Sequence, residues 1–155
     1  MSITFCNDVE ANRVKVPTDP TGDPIDVIEF AAGLPGFPTA HRFRLEELDE
    51  SLRPFRRLRS ISGPEISFTV IDPALLYPGY SVEIDDDQQA SLNIRSADEV
   101  MLLILITVPR SPLPPTANLL GPIVINKVTG AAAQVVQHRS SHRVAEPLPG
   151  AGASG

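Results

Sequence analysis

The sequence has few of the residues that stabilise small proteins covalently or through a metal. It contains one cysteine, Cys6, in 155 residues, so the chain cannot form an intramolecular disulfide or a cysteine-based zinc site by itself. This usage fits a reducing compartment. A chain of this size buries roughly 70% of its unfolded surface, and 42% of the residues are hydrophobic. We therefore expect one domain with a single core and no metal or disulfide.

Basic residues are also in deficit. The 13 Lys and Arg residues face 19 Asp and Glu residues, which gives a formal net charge of −6. Nucleic acids and anionic membranes favour basic surfaces because binding releases counterions. We expect no direct nucleic-acid partner and no membrane partner, whereas a basic or amphiphilic protein partner is compatible with the charge.

Long hydrophobic runs are missing as well. The longest apolar stretch, residues 100–108, is roughly half of the ~20 residues that span a bilayer. Residues 1–10 carry acidic side chains where a signal peptide needs a basic region and then an apolar run. We expect a cytoplasmic protein.

Proline and glycine are abundant, with 16 and 10 residues respectively, which disfavours long helices. Short apolar or alternating runs separated by turn residues are typical of an all-β domain. We predict a single-domain β-barrel-like fold of about 8–10 short strands with one short helix. The barrel domain is predicted at 1–137 and a flexible Pro/Gly-rich tail at 138–155. The predicted strands are 3–6, 26–30, 42–45, 55–61, 66–71, 80–84, 100–108, 117–120, 123–127 and 132–137.

Two runs predict burial directly. Residues 100–108 are apolar at both odd and even positions, so both faces of this strand should be covered. Residues 80–85 alternate strictly, so one face should be buried and the other should be acidic and exposed. The exposed face carries Ser81, Glu83 and Asp85. Aspartates at 85–87 then favour the start of a helix over 85–92, and Gly130 favours a hairpin turn before residue 131.

Catalytic patterns are sparse. His138 and His142 have the i, i+4 spacing of helical metal ligands, but they lie in the predicted tail without a third ligand nearby. Nothing in the sequence pairs His41 with a nucleophile. The glycine-containing stretch 33–36 contains Pro35, which removes an amide donor that a phosphate loop would use. We expect no catalytic residue, no metal and no cofactor.

Two charge clusters stand out. Four arginines lie within seven residues, at positions 53, 56, 57 and 59. On the predicted strand 55–61, Arg57 and Arg59 point to one face and Arg56 to the other, so we interpret them as solvated strand edges and not as one basic stripe. The acidic residues at 83 and 85–87 join the exposed face of a strand to the start of a helix. They fit either helix capping with solubility or the binding of a basic partner.

Four segments, in order and spacing, resemble the flagellar assembly factor FliW family. They are Ile28-Glu-Phe-Ala-Ala-Gly-Leu-Pro-Gly-Phe37, Phe68-Thr-Val-Ile-Asp-Pro73, Tyr77-Pro-Gly-Tyr80 with Ile84-Asp85, and Thr116-Ala-Asn-Leu-Leu-Gly-Pro-Ile-Val-Ile-Asn126. The resemblance runs from about residue 25 to 137. The blocks GLPGF and TANLLGPIVIN are its most specific parts.

The resemblance implies a non-enzymatic β-barrel-like protein with two partners, flagellin and the RNA-binding translational regulator CsrA. Binding to CsrA would relieve repression of flagellin translation by an allosteric route, and flagellin would compete for the same factor. We expect the face with Ser81, Glu83, Asp85 and Asp86 to contact CsrA. The other candidate contact residues, which could equally be packing residues, are Phe37, Tyr80 and Asn118.

Two other classes of function stay open at this point. One is a small-ligand-binding or hydrolytic β-barrel, which would need a hollow interior with convergent polar groups. The other is an accessory component that remains in the assembled filament. A monomer is favoured, although an exposed edge strand could pair with another copy.

Overall fold

Eleven β-strands and one α-helix form the part of the chain that the structure describes. The structure is a computed structural model, and it describes residues 3–5, 27–34, 37, 39–52, 54–61, 63, 65–77, 79–108, 114–137 and 145–148. The strands are β1 (Ile3–Phe5), β2 (Ile28–Phe30), β3 (Arg42–Glu47), β4 (Arg56–Ser60), β5 (Ser67–Ile71), β6 (Val82–Ile84), β7 (Val100–Thr107), β8 (Thr116–Ala117), β9 (Ile123–Asn126), β10 (Ala131–Gln134) and β11 (Glu146–Pro147). The α-helix α1 is Asp86–Ser91, and short 3-10 helices cover Glu50–Leu52, Pro73–Leu75 and Ala97–Glu99. The predicted all-β class with one short α-helix is confirmed.

Seven of the strands close into a barrel. Neighbouring strands follow the order β7-β5-β4-β3-β2-β10-β9, and a further pairing of β9 with β7 closes the ring. The pairs are antiparallel except β2 with β10, which is parallel. Closure satisfies the backbone hydrogen bonds of strands that would otherwise form edges. The predicted hairpin joins β9 to β10, with Gly130 at φ +83°, a conformation that glycine adopts without steric cost.

The longest strand, β7, separates two hydrophobic clusters. Met101 and Leu103 face the barrel interior, where they join residues of β2, β3, β4, β5 and β9. The alternate residues Leu102, Ile104 and Ile106 face outward into a second cluster. This arrangement confirms that both faces of 100–106 are covered, whereas Thr107 and Val108 at the end of the predicted run are exposed. The expected single core is therefore divided into two layers, one inside the barrel and one between its wall and the outer elements.

The outer layer consists of a two-stranded sheet and α1. β1 pairs antiparallel with β6, and β6 contributes Val82 and Ile84 to the outer cluster. Leu92 and Ile94, which follow α1, are buried there as well. Burial of an aliphatic side chain stabilises the fold by about 1.5–3 kcal/mol. The outer layer thus holds β6, with its exposed residue Glu83, against the barrel.

Two features differ from the sequence-based predictions. The segment Glu146–Pro147 lies in the predicted tail but pairs antiparallel with β8. The arginine-rich strand β4 is not an edge, because β3 and β5 pair with its two sides; Arg57 and Arg59 lie on the solvated outer face of the barrel instead. Outside the described residues lie Cys6, Arg53, both tail histidines and the tail residues 138–144 and 149–155.

Candidate partner-binding surface

The predicted acidic face is present on β6 and the start of α1. We call Ser81, Glu83, Asp85 and Asp86 the acidic face. Glu83, Asp85 and Asp86 are exposed and Ser81 is half-buried, whereas Val82 and Ile84 between them are buried. The strict alternation predicted for residues 80–85 is therefore confirmed. Asp87 in the first turn of α1 adds a further exposed carboxylate beside this face.

The side chain of Gln137 holds β6 from the side opposite β1. Glu83 N donates to Gln137 Oε1 at 2.8 Å, and Gln137 Nε2 donates to Glu83 O at 3.1 Å. Successive residues of a strand point their backbone groups to opposite sides, so Val82 and Ile84 face β1 while Glu83 faces Gln137. Gln137 is buried, with 7% of its surface exposed. One side-chain amide thus takes the place of a neighbouring strand, and the Glu83 carboxylate stays outside.

Asp85 has a structural role within the acidic face. Its Oδ1 accepts from Gln88 N at 2.8 Å, and Gln88 Oε1 accepts from Asp85 N at 3.0 Å. This reciprocal capping box satisfies two amide groups at the start of α1. Helix capping, one of the two interpretations of the acidic residues, is therefore present at Asp85. Glu83 and Asp86 are the members of the face that can be exchanged without removing this cap.

Tyr80 and Asn118 lie at the loop of the TANLLGPIVIN block. Tyr80 is 5% exposed, and its hydroxyl donates to Leu119 O at 2.6 Å. Burial raises the pKa of Tyr80 well above the ordinary value of a phenol. Asn118 is half-buried, and its Oδ1 accepts from Gly121 N at 2.9 Å. Tyr80 therefore packs against this loop and Asn118 supports its turn, and a contact of either residue with a partner stays a prediction.

Phe37 lies in the GLPGF turn. Gly33 begins the turn with φ +70°, and Leu34 and Phe37 then form an isolated antiparallel bridge. The Phe37 ring is 37% exposed and meets Phe68 edge to face, with 5.8 Å between the ring centroids. Phe37 therefore covers one part of the barrel while leaving an apolar surface open. The structure does not bring it into the acidic face.

Sequence reasoning missed two buried amides that organise this region. One is Gln137. The other is Asn126, which is fully buried; its Nδ2 donates to Leu92 O at 2.8 Å and its Oδ1 accepts from Val128 N at 2.8 Å. A signal for Asn126 was available, since an asparagine before a turn commonly accepts from the amide two residues on. The bond to Leu92 joins the end of α1 to the β9–β10 turn and has no local signal.

The described residues offer little catalytic chemistry. His41 is hydrogen-bonded through Nδ1 to Phe30 O at 2.9 Å. No group of three or more His, Cys, Asp or Glu side chains that could hold a metal occurs within the described ranges. A pocket of about 240 Å³ includes two residues that face the barrel interior, Met101 and Leu103; its other lining residues are Pro54, Arg56, Asp72, Leu75 and Leu102. The barrel interior itself is packed with aliphatic and aromatic side chains. Of the helices that the structure describes, none has the length and apolar character to cross a membrane.

Comparison with known proteins gives one family. The family model described as FliW protein matches residues 15–148. The flagellar assembly factor FliW of Caldanaerobacter subterraneus subsp. tengcongensis is 32% identical over 123 residues, which cover 79% of this chain and 82% of that protein. The flagellar assembly factor FliW of Treponema pallidum is 39% identical over 109 residues, or 70% of this chain and 71% of that protein.

A solved structure gives the same result. The crystal structure of the flagellar assembly factor FliW matches this fold with a TM-score of 0.71 and 31% sequence identity, covering 79% of this chain and 84% of that chain. The family model extends beyond the 25–137 stretch in which the sequence blocks lie, and it includes β11. The shared sequence blocks, the barrel and the extent of the match show that this chain belongs to the FliW family of flagellar assembly factors.

Proposed function

We propose that this protein binds cytoplasmic flagellin and the translational regulator CsrA, and that it relieves repression of flagellin translation in a partner switch. In this scheme free flagellin occupies the protein, CsrA is released and flagellin translation falls; export of flagellin reverses the order. Membership of the FliW family supports the general role in flagellar assembly. The two partners are inferred from the family resemblance, and the protein acts without catalysis.

The acidic face is the observation that carries the CsrA part of the proposal. Its exposed carboxylates on β6 and α1 lie on backbone that is fixed by β1, Gln137 and the capping box. An RNA-binding protein presents basic surface, so opposite charges would accelerate and orient the encounter. A fixed backbone lowers the ordering cost of binding. The proposal is that this protein binds CsrA with an allosteric, non-competitive effect on RNA binding, and it does not require the face to imitate RNA.

The first experiment is a calorimetric titration of the full chain with monomeric flagellin and, separately, with CsrA from the same genome. We expect one-to-one binding to each partner, and loss of CsrA binding when flagellin is already bound. Absence of heat and of complex formation with both partners at tens of micromolar would overturn the proposal. Binding to both partners at once would retain the two interactions but reject the switch.

The second experiment tests the acidic face with Glu83→Lys/Asp86→Lys. We expect CsrA affinity to fall by more than tenfold, since a charge reversal converts attraction into repulsion. The matched control is Asp49→Lys/Glu50→Lys, which changes the net charge equally at exposed positions in the β3–β4 connection. Melting curves of both variants verify folding; a small decrease is expected at Asp86 because an acidic residue in the first helical turn is favourable. Equal affinities of the two double variants would remove the acidic face from the CsrA site.

A further inference from the structure

The outer face of two neighbouring barrel strands carries three guanidinium groups around one carboxylate. Phe43 on β3 and Leu58 on β4 are fully buried in the barrel interior, so the residues that alternate with them face outward. These are Arg42, Arg44 and Glu46 on β3 and Arg57 and Arg59 on β4. Arg44 lies opposite Arg59, and Glu46 lies opposite Arg57. We call Arg44, Arg57 and Arg59 the arginine cluster.

Glu46 neutralises only one of these arginines. Arg59 Nε donates to Glu46 Oε1 at 3.0 Å and Arg59 Nη2 donates to Oε2 at 2.8 Å, a bidentate pair. The hydrogen bond from Arg59 holds the pKa of Glu46 below its ordinary value, and the charges of Arg57 and Arg44 act in the same direction. Arg44 and Arg57 are exposed. Three guanidinium groups against one carboxylate leave the cluster positively charged in a protein of net charge −6.

The neighbouring charges do not cancel this excess at Arg44 and Arg57. Glu29 pairs with Arg42 at 3.7 Å. Glu65 precedes β5, and its negative charge acts on Arg59 from the side of that residue opposite to Arg57. Like charges on neighbouring strands destabilise a sheet, and Glu46 offsets this repulsion at Arg59 but leaves Arg44 and Arg57 uncompensated. A carboxylate from another molecule placed between Arg44 and Arg57 would reduce the repulsion between these two guanidinium groups.

We propose that the arginine cluster binds an acidic segment of a partner protein in an extended conformation. Ser67 and Thr69 of β5 lie opposite Arg59 and Arg57 respectively and add hydroxyl donors along the same face. Arg44 and Arg57 are diagonal neighbours on β3 and β4, about 7–8 Å apart. Alternate residues of a strand recur about every 6.6–7 Å, so acidic residues at every second position of an extended segment match the spacing of these two arginines. Arginine suits this role because its guanidinium binds carboxylates through two parallel hydrogen bonds.

The charge distribution favours a short acidic segment over a nucleic acid. A long polyanion would extend beyond the cluster into the field of an acidic protein, whereas interactions of a short segment fall off within a Debye length of about 8 Å. Single-stranded nucleic acids also use aromatic side chains for stacking. The exposed and half-buried outward positions on the described strands β3, β4 and β5 are occupied by Arg, Glu, Ser and Thr, and the remaining outward residue, Ile71, is buried in the outer cluster. This site has the opposite charge to the acidic face and does not depend on the proposed function.

The test is an NMR titration of the ¹⁵N-labelled full chain at 50 mM ionic strength. The probe is the acetylated and amidated peptide Glu-Ser-Glu-Ser-Glu-Ser-Glu, and the matched neutral probe replaces each Glu with Gln. We expect saturable shifts of backbone amides in β3 and β4 and of the Arg Nε–Hε signals with the acidic probe, and no saturable shift with the neutral probe. Raising the salt to 300 mM should weaken binding at least fivefold.

The diagnostic variant is Arg44→Gln/Arg57→Gln, and we expect it to bind the acidic probe at least tenfold more weakly. Its melting temperature should be unchanged or higher, because like-charge repulsion is relieved. The control is Arg95→Gln/Lys127→Gln, which removes two positive charges outside the cluster and should bind within twofold of the unmodified chain.

Four results would overturn the proposal. They are equal affinity of the diagnostic variant and the control, shifts located outside β3–β5, tighter binding of an eight-nucleotide oligouridylate at the same residues, and self-association in sedimentation that depends on Arg44 and Arg57. The third result would assign the cluster to a nucleic acid, and the fourth to a second copy of this chain.

Discussion

The side-chain amide of Gln137 forms two hydrogen bonds with the backbone of Glu83 and replaces a neighbouring strand along one edge of β6. These residues are 54 positions apart in the chain. The relationship explains how a three-residue strand keeps a fixed backbone under an exposed carboxylate. It also connects the chain that follows β10 to the acidic face.

Replacing Gln137 with Leu should destabilise the protein by about 1–3 kcal/mol, because the part-buried N–H and C=O of Glu83 lose their partner. Urea unfolding monitored by circular dichroism measures the change. The control is Val136→Thr at the adjacent, exposed position, for which a change within about 0.5 kcal/mol is expected. An unchanged urea midpoint for Gln137→Leu would show that the amide does not support β6.

Replacing Asn126 with Ala should cost about 2–4 kcal/mol, because the change leaves a buried carbonyl and a turn amide without their partner. Hydrogen exchange should also become faster at the end of α1, since Asn126 joins Leu92 to the β9–β10 turn. The neighbouring change Lys127→Ala is the control, with its own backbone bond to Glu99 O retained. Faster exchange confined to the turn would contradict the proposed connection to α1.

Replacing Tyr80 with Phe should destabilise the fold by about 1–2 kcal/mol while leaving the aromatic packing in place. The lost group is the hydroxyl that donates to Leu119 O in the loop before β9. Thermal unfolding gives the change, and Tyr77→Phe at a half-buried position is the comparison. A binding role for the Tyr80 hydroxyl would instead appear as weaker partner affinity at unchanged stability.

The Arg59–Glu46 pair should make stability depend on pH at the acidic end. Because the folded pKa of Glu46 lies below 4.5, the folded state releases this proton more readily than the unfolded state does. The stabilisation is present above pH 4.5 and is lost as the pH falls through the folded pKa. Unfolding of the unmodified chain and of Arg59→Gln in urea at pH 7, 5, 4 and 3 measures it. The difference in unfolding free energy between the unmodified chain and Arg59→Gln should shrink below pH 4.5. The control Arg95→Gln should show no such trend. A difference for Arg59→Gln that stays constant with pH would exclude the Arg59–Glu46 pair as a source of the pH dependence.

The alternation of residues 80–85 predicted burial correctly because the two-residue period of a strand is a local property. The apolar run 100–108 predicted burial correctly as far as Ile106, and its last two residues are exposed. The helix after Asp85 was predictable for the same reason, since its capping box closes within four residues. The hairpin turn at Gly130 was also predictable, because this glycine stands between two predicted strands. The strands and side chains that lie beside these elements could not be predicted from the sequence, because each pairing joins distant parts of the chain.

Sequence alone determined the fold class, the covered strand β7, the exposed acidic face and, through the GLPGF and TANLLGPIVIN blocks, the FliW family. Tertiary structure alone decided that Tyr80 packs against the loop at Leu119, that Gln137 completes β6, and that β11 pairs with β8. It also decided that the arginines of β3 and β4 share one outer face. The physical reason is that local periodicity states which side of an element is buried, whereas barrel closure and long-range hydrogen bonds determine what lies beside it.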